Sequence, residues 1–255
     1  MTPPAILPGA EAWSATGGPH GALVLHGFTG CPQSMRGLAE AFAAGGFAVE
    51  LPRLPGHGTD IDDMVTTSWS DWSRAADAAY VDLASRCDRV VVSGLSMGAT
   101  LTVWLAARHP EIAGIVVING AFGPIDESMR SGLMAARDSG LDRVPGPGGD
   151  IADPTRHEVA YDQAPVEGMI SLFDALDALE AELPRITMPS LVLTSRQDHV
   201  VPPGSSEYFI ARVDGAVEHV WLDRSYHVAT LDYDAGEIER RAVAFAQGTT
   251  LPIHS

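Results

Sequence analysis

The sequence is poor in cysteine, poor in positive charge, and without any long apolar run. Cys31 and Cys87 are the only cysteines in 255 residues. Two thiols are too few for a disulfide framework, and a chain of this length does not need one, so both read as free thiols in a reducing compartment. Arginine and lysine number 16 against 33 acidic residues, a formal charge of −17. That balance argues against nucleic acid and anionic membrane surfaces as partners, and it disfavours an anionic substrate. The excess of acid reads as solubility. No stretch of about 20 apolar residues could span a bilayer. Met1–Pro8 lacks a basic segment followed by an apolar one, so no secretory leader is expected and the expected location is the cytoplasm. No histidine pair has a ligand spacing such as H-E-x-x-H, and no metal site is expected.

What the chain does contain is a core. Its residues are 45% hydrophobic, which suits a globular protein, and this length suits a single α/β domain. Apolar, β-branched runs fall at 22–26, 47–51, 89–93, 115–118, 191–194 and 217–222, with a short edge strand at 12–15. Helical patterns fall between them at 32–44, 70–86, 97–109, 205–213 and 235–247. Strands that alternate with helices predict a mostly parallel sheet covered on both faces. One segment breaks the alternation. About 70 residues separate the strand ending at Asn119 from the next near Ser190, far more than one crossover needs. The part 122–155 is rich in Gly and Pro. The part 164–183 is a helix candidate with Val166, Met169, Ile170, Phe173 and Leu176 on one side. Residues 121–185 therefore read as a cap inserted over the sheet, with 1–120 and 186–255 as the core. Ile170 and Phe173 are candidates for lining a pocket beneath the cap.

The chemistry centres on Val90-Val91-Val92-Ser93-Gly94-Leu95-Ser96-Met97-Gly98. A buried strand that reverses straight into a helix leaves its central residue strained and exposed, and the flanking positions must be glycine because a Cβ would collide there. Gly94-x-Ser96-x-Gly98 has that form. A serine hydroxyl needs a base, and the base needs a carboxylate to orient it. Asp198 follows the strand at 191–195, and His227 follows the strand at 217–222, so serine, acid and base occur in the expected chain order. His199 is adjacent to Asp198 and would point away from it on a tight loop. His26 and His57 flank glycines and read as loop-shaping hydrogen bonders. His20, His109, His157, His219 and His254 lie outside any suitable strand-end loop. The backbone N–H groups of Met97 and Phe28 are the candidate oxyanion donors.

These residues sit in longer stretches that resemble a known family. LHGFTGCPQSMRGLAEAFA (25–43), LPRLPGHGTDIDDM (51–64), SGLSMGATLTVWLA (93–106), DHVVPPG (198–204) and SYHVATLDYD (225–234) are similar to the small bacterial monoacylglycerol lipases and thermostable carboxylesterases of the α/β-hydrolases. The resemblance implies an α/β-hydrolase fold with an inserted cap, and a triad of Ser96, Asp198 and His227. It also implies an oxyanion hole from Phe28 and Met97, ester hydrolysis through an acyl-enzyme, and no cofactor. RHEVAYDQAP (156–165) resembles the segment that meets the glycerol head group, which makes Glu158 a candidate for binding its hydroxyls. One departure is Ala99, where the family usually has a second glycine; it should face helix–strand packing. The expected substrate is a small lipid or ester, most simply a monoacylglycerol, with a broad short-chain carboxylesterase as the alternative. A cofactor-free perhydrolase would use the same triad, and a non-catalytic binder usually lacks one of its members. No stable membrane insertion is expected. The apolar cap surface leaves open transient contact with lipid aggregates and either a monomer or a homodimer.

Overall fold

The computed structural model describes residues 4–250; residues 1–3, part of the stretch read for a leader, and His254 lie outside the described residues. The chain runs β1 (Trp13–Ala15), β2 (His20–Leu25), α1 (Arg36–Ala44), β3 (Ala48–Leu51), α2 (Ile61–Met64), α3 (Trp69–Ala84), β4 (Arg89–Leu95), α4 (Met97–Ala106) and β5 (Gly114–Ile118). It continues with α5 (Glu127–Asp138), β6 (Arg143–Pro145), β7 (Gln163–Pro165), α6 (Val166–Glu180), β8 (Ser190–Ser195), α7 (Gly204–Ile210), β9 (Val217–Leu222) and α8 (Ala235–Thr250). Seven strands form one sheet in the order β1-β3-β2-β4-β5-β8-β9. Among the described residues of this sheet, only β1 runs antiparallel to its neighbour.

The alternation of side chains along each strand divides the core into two layers. Leu23, Leu25, Val90, Val92, Ile115, Val117 and Val192 face one way, toward Trp72, Ala76, Tyr80 and Leu83 of α3 and the apolar residues of α4. Ala22, Val24, Val91, Val116, Ile118, Leu191 and Leu193 face the other way, toward Leu38 and Phe42 of α1 and Ile238, Ala242 and Ala246 of α8. Both faces of the central strands are covered, which is why they read as continuous apolar runs. Ala99 is fully buried. Its Cβ lies where a Cβ on Gly120 would come within 2.9 Å, so the small residue at 120 makes room for it.

Residues 121–185 lie between β5 and β8, which are direct neighbours in the sheet. The segment holds α5, α6 and the separate antiparallel pair β6–β7. Helix α5 lies in the stretch read as Gly- and Pro-rich. Its signal is Asp126, whose carboxylate accepts the N–H groups of Ser128 and Met129 and caps the helix. Arg130 of α5 pairs with Asp174 and Asp177 of α6 at 2.9 and 2.7 Å and lies over the ring of Phe173. The two helices therefore form one packed unit.

Trp72 joins α3 to the loops above it. It is fully buried, its indole N–H donates to Pro55 O and Thr67 Oγ1 at 3.1 Å each, and its ring meets Phe28 and His57 edge-on. Trp72→Ala is expected to cost about 3–5 kcal/mol, read as a lower urea midpoint. A loss under about 1 kcal/mol would contradict this packing role.

Candidate active site

Leu95 ends β4 and Met97 begins α4, so Ser96 alone makes the turn. Its backbone is strained, with φ 55° and ψ −120°, a region that residues with a Cβ rarely adopt. The glycines on either side allow it. A Cβ on Gly94 would fall on the backbone of Gly98, and one on Gly98 would fall on the carbonyls of Leu25 and His26. The Ser96 N–H donates to Ile118 O at 3.0 Å, and its carbonyl accepts from Ala99 and Thr100, which anchors the turn on both sides.

His227 and Asp198 come from loops after adjacent parallel strands, β9 and β8. His227 Nδ1 lies 2.8 Å from Asp198 Oδ2, with side-chain exposures of 7% and 1%. An ionised carboxylate can only accept, so Nδ1 carries the proton and Nε2 keeps a free lone pair. Asp198 Oδ1 accepts the N–H groups of Val200 and Val201 at 2.8 Å each, which fixes the carboxylate. Its neighbour His199 does point elsewhere, pairing with Asp150 at 2.9 Å. Asn119, directly after β5, was not singled out in the sequence. It takes a positive φ of 44°, donates to His227 O at 2.7 Å and Ser195 Oγ at 3.0 Å, and accepts the Ser195 N–H at 2.7 Å. Its only sequence signal is an amide residue closing a buried strand.

The loop after β2 brings Phe28 to the same end of the sheet. A Cβ on Gly27 would meet the Ser96 Cβ at 3.4 Å, so this loop and the turn are in contact. His26 and His57 shape the loop. His26 Nδ1 donates to Gly27 O at 3.0 Å, and its Nε2 accepts the Leu54 N–H at 3.1 Å. His57 Nδ1 donates to Pro55 O at 3.0 Å. The two rings pack edge-on at 5.0 Å. Burial pushes His26 down to about 4 and His57 well below its usual range, so both are neutral. Among the described residues, neither the Phe28 N–H nor the Met97 N–H has a protein acceptor. Met97 is the first residue of α4, so its N–H also carries the positive end of the helix.

Ser96, Met97, Phe28, His227 and Glu158 all line a cavity of about 1000 Å³. Met129 and Leu133 of α5 and Met169, Leu172, Phe173 and Leu176 of α6 line its apolar part. Phe173 lines the cavity as expected from its helical position. Ile170 does not: it is buried in the core and absent from the lining. The face that meets the cavity runs 169, 172, 173, 176, and residue 170 lies about 100° around the helix from 169. Glu158 is held from both sides. The Gln33 side chain donates to His157 O at 3.1 Å and accepts the Val159 N–H at 3.0 Å. The Glu158 carboxylate sits against Gly30, where a Cβ would be 2.5 Å from Oε1. Burial raises it to about 7, opposed by the nearby His227 and Ser34 side chains. A serine on a strained turn, an oriented imidazole and two free N–H groups lining an apolar cavity can perform nucleophilic acyl transfer.

The profile of the alpha/beta hydrolase family matches residues 22–240. The chain belongs to that family. It is 44% identical over 243 residues to the thermostable monoacylglycerol lipase of Bacillus sp. (strain H-257), covering 94% of this chain and 95% of that one. It is 25% identical to the carboxylesterase of Bacillus subtilis (strain 168), covering 91% and 94%. A solved structure from work on LipS and LipT, two metagenome-derived lipolytic enzymes, superposes with a TM-score of 0.91 at 42% identity, covering 96% of this chain and all of that one. The monoacylglycerol lipase of Paleococcus ferrophilus shares the fold, with a TM-score of 0.77 at 21% identity and coverage of 94% and 100%. Among the described residues, no helix of this α/β-hydrolase is long and apolar enough to cross a membrane.

The buried histidines make the α/β-hydrolase core acid-sensitive. Their folded values lie below the unfolded 6.5, so between pH 6.5 and about 4 the unfolded chain binds protons that the folded chain refuses. Stability is therefore lost as pH falls through this window, by about 3 kcal/mol from His26 alone. Glu158 and Glu239, both raised by burial, run the opposite way, while His219, lowered by burial, adds to the loss. Urea unfolding followed by tryptophan fluorescence should show a lower midpoint at pH 4.5 than at 6.5; an equal or higher one contradicts two neutral histidines.

Proposed function

We propose that this α/β-hydrolase cleaves carboxylic esters, with monoacylglycerols as its preferred substrates and Ser96, His227 and Asp198 as its catalytic triad. The observation that carries the reading is the buried 2.8 Å pairing of His227 Nδ1 with Asp198 Oδ2, with His227 and a strained Ser96 lining one apolar cavity. His227 Nε2 takes the Ser96 Oγ proton as Oγ attacks the ester carbonyl. The N–H groups of Phe28 and Met97 hold the oxyanion. His227 then returns the proton to the departing alkoxide, leaving an acyl-enzyme. Water, deprotonated by the same nitrogen, attacks the acyl carbon; the bond to Ser96 Oγ breaks, His227 returns the proton to Oγ, and the fatty acid leaves. Asp198 stabilises the imidazolium in both halves.

Residues 121–185 act as the cap in this reading, over a core of 1–120 and 186–255. Met169, Leu172 and Phe173 would receive the acyl chain. Glu158 would accept hydrogen bonds from the glycerol hydroxyls, which a simple alkyl ester lacks. The similarity to a thermostable monoacylglycerol lipase along nearly the whole chain supports this substrate. The weaker similarity to a carboxylesterase supports a second reading, in which the same residues cleave a broad range of short esters. The low cysteine count supports a cytoplasmic location. The exposed apolar residues Met129, Met134 and Leu141 of the cap region would serve transient contact with lipid aggregates or a homodimer; a monomer is the simpler form.

Ser96→Ala should lower ester hydrolysis at least about 10³-fold with the fold intact; substantial residual turnover removes Ser96 as the nucleophile. Initial rates on 1-monoacylglycerols and on p-nitrophenyl esters of matched chain length should favour the former. The reverse order supports the broad esterase. At about pH 8, where the Glu158 carboxyl is largely ionised, Glu158→Gln should raise KM for monoacylglycerol several-fold and leave that for the p-nitrophenyl ester unchanged, because a charged acceptor binds hydroxyls more strongly than an amide. Equal effects on both substrates would exclude Glu158 from head-group recognition.

A further inference from the structure

The Gly- and Pro-rich segment that lines the cavity at residues 145–148 is followed two residues later by Asp150. This side chain reaches out of the inserted region and into both loops of the proposed acid–base pair. Its Oδ2 accepts the backbone N–H of His227 and that of His199, each at 3.1 Å. Its Oδ1 meets His199 Nδ1 at 2.9 Å. The Asp150 carbonyl accepts the Val228 N–H at 3.0 Å. One residue therefore holds the amide of the base itself and the amide next to the acid.

The contact is answered from the other side. Asp232, buried just after the His227 loop, accepts the N–H groups of Ala152 and Asp153 at 2.7 and 3.0 Å, and that of Tyr226 at 2.9 Å. A carboxylate of the insertion grips the His227 loop, and a carboxylate of the core grips the insertion. Charged acceptors make the stronger class of hydrogen bond, and here they fix the backbone on both sides of one catalytic side chain.

We infer that Asp150 is a positioning residue that sets His227 and the Asp198 loop in register through this reciprocal carboxylate clasp, coupling the cavity-lining segment of the cap to the base. The inference rests on the triad reading above. It does not touch the reacting atoms. Its effect comes through His227, whose displacement by even about 1 Å is enough to cost up to 10²-fold in rate.

The test is a set of variants assayed on a monoacylglycerol and with paraoxon, which phosphorylates an activated serine. Titration of active sites corrects for any unfolded fraction. Asp150→Ala should lower kcat per titrated site about 10- to 100-fold with KM changed less than about twofold, and slow Ser96 phosphorylation by a similar factor. Asp150→Asn retains an oxygen that can accept both backbone N–H groups, so it should recover to within about threefold of the wild type. If Asp150→Ala does not fold, Asp150→Glu carries the test, since it keeps the charge but displaces the acceptor; the same kcat loss supports positioning. A kcat within twofold of wild type in Ala or Glu, or an activity loss accounted for entirely by fewer titrated sites, overturns it. A wild-type chain that neither hydrolyses the ester nor reacts with paraoxon at Ser96 would instead overturn the proposed function.

Discussion

The structure depends on one close approach, the packing of the β4–α4 turn against β2. Gly98 lies where a Cβ would strike the carbonyls of Leu25 and His26, and Gly94 lies where one would strike Gly98. Only that contact lets a strand become a helix across a single residue, and it is what holds Ser96 at a positive φ. The strain persists because the surrounding parts over-determine it: five buried strands, the Ser96–Ile118 hydrogen bond, and an α4 buried on almost every side. The same approach brings the end of β2, and with it the Phe28 loop, against the serine. Two elements of the site are thus positioned by one backbone contact.

The remaining elements are positioned by hydrogen bonds from side chains to distant backbone. Asn119 ties the end of β5 to β8 and to the His227 carbonyl. Gln33 brackets Glu158. Tyr161, also from the insertion, donates its backbone N–H to Thr29 O at 3.1 Å, while its hydroxyl bridges Gly56 O and the Thr59 N–H. The insertion is therefore stitched to the strand-end loops at several points, and the site is built across the junction. Burying so many polar groups would be costly if any were left unpaired, so the network favours a single arrangement.

Electrostatics at the site follows burial more than net charge. A chain of formal charge −17 keeps two neutral histidines beneath the Phe28 loop and a carboxyl near neutrality on Glu158. Desolvation is the leading cause for all three groups, because a charged form loses its water before it finds a partner. The resulting cavity end presents free N–H donors without a fixed cation, which suits a substrate that becomes anionic only in the transition state.

Much of the fold could be read from continuous apolar runs separated by helical patterns, because central strands buried on both faces must be apolar throughout. The turn at Ser96 was legible because its steric demand leaves glycine as the only solution at 94 and 98. Asp198 and His227 were legible because the order of strand ends limits the choice. Helix α5 was hidden by the Gly and Pro on either side of it, and the cavity face of α6 was displaced by one position, so that Ile170 proved to be core while Leu172 lines the cavity. Asn119, Gln33, Asp150 and Asp232 carried no signal of their roles, since each acts on a backbone N–H or C=O that any residue could supply, as far as 126 positions away along the chain. Local sterics and periodicity are written in neighbouring residues, so the sequence alone determined the sheet, the elbow and the pairing of His227 with Asp198. Which side chain grips which distant backbone is decided only when the chain folds, so the tertiary structure alone determined how those groups are held.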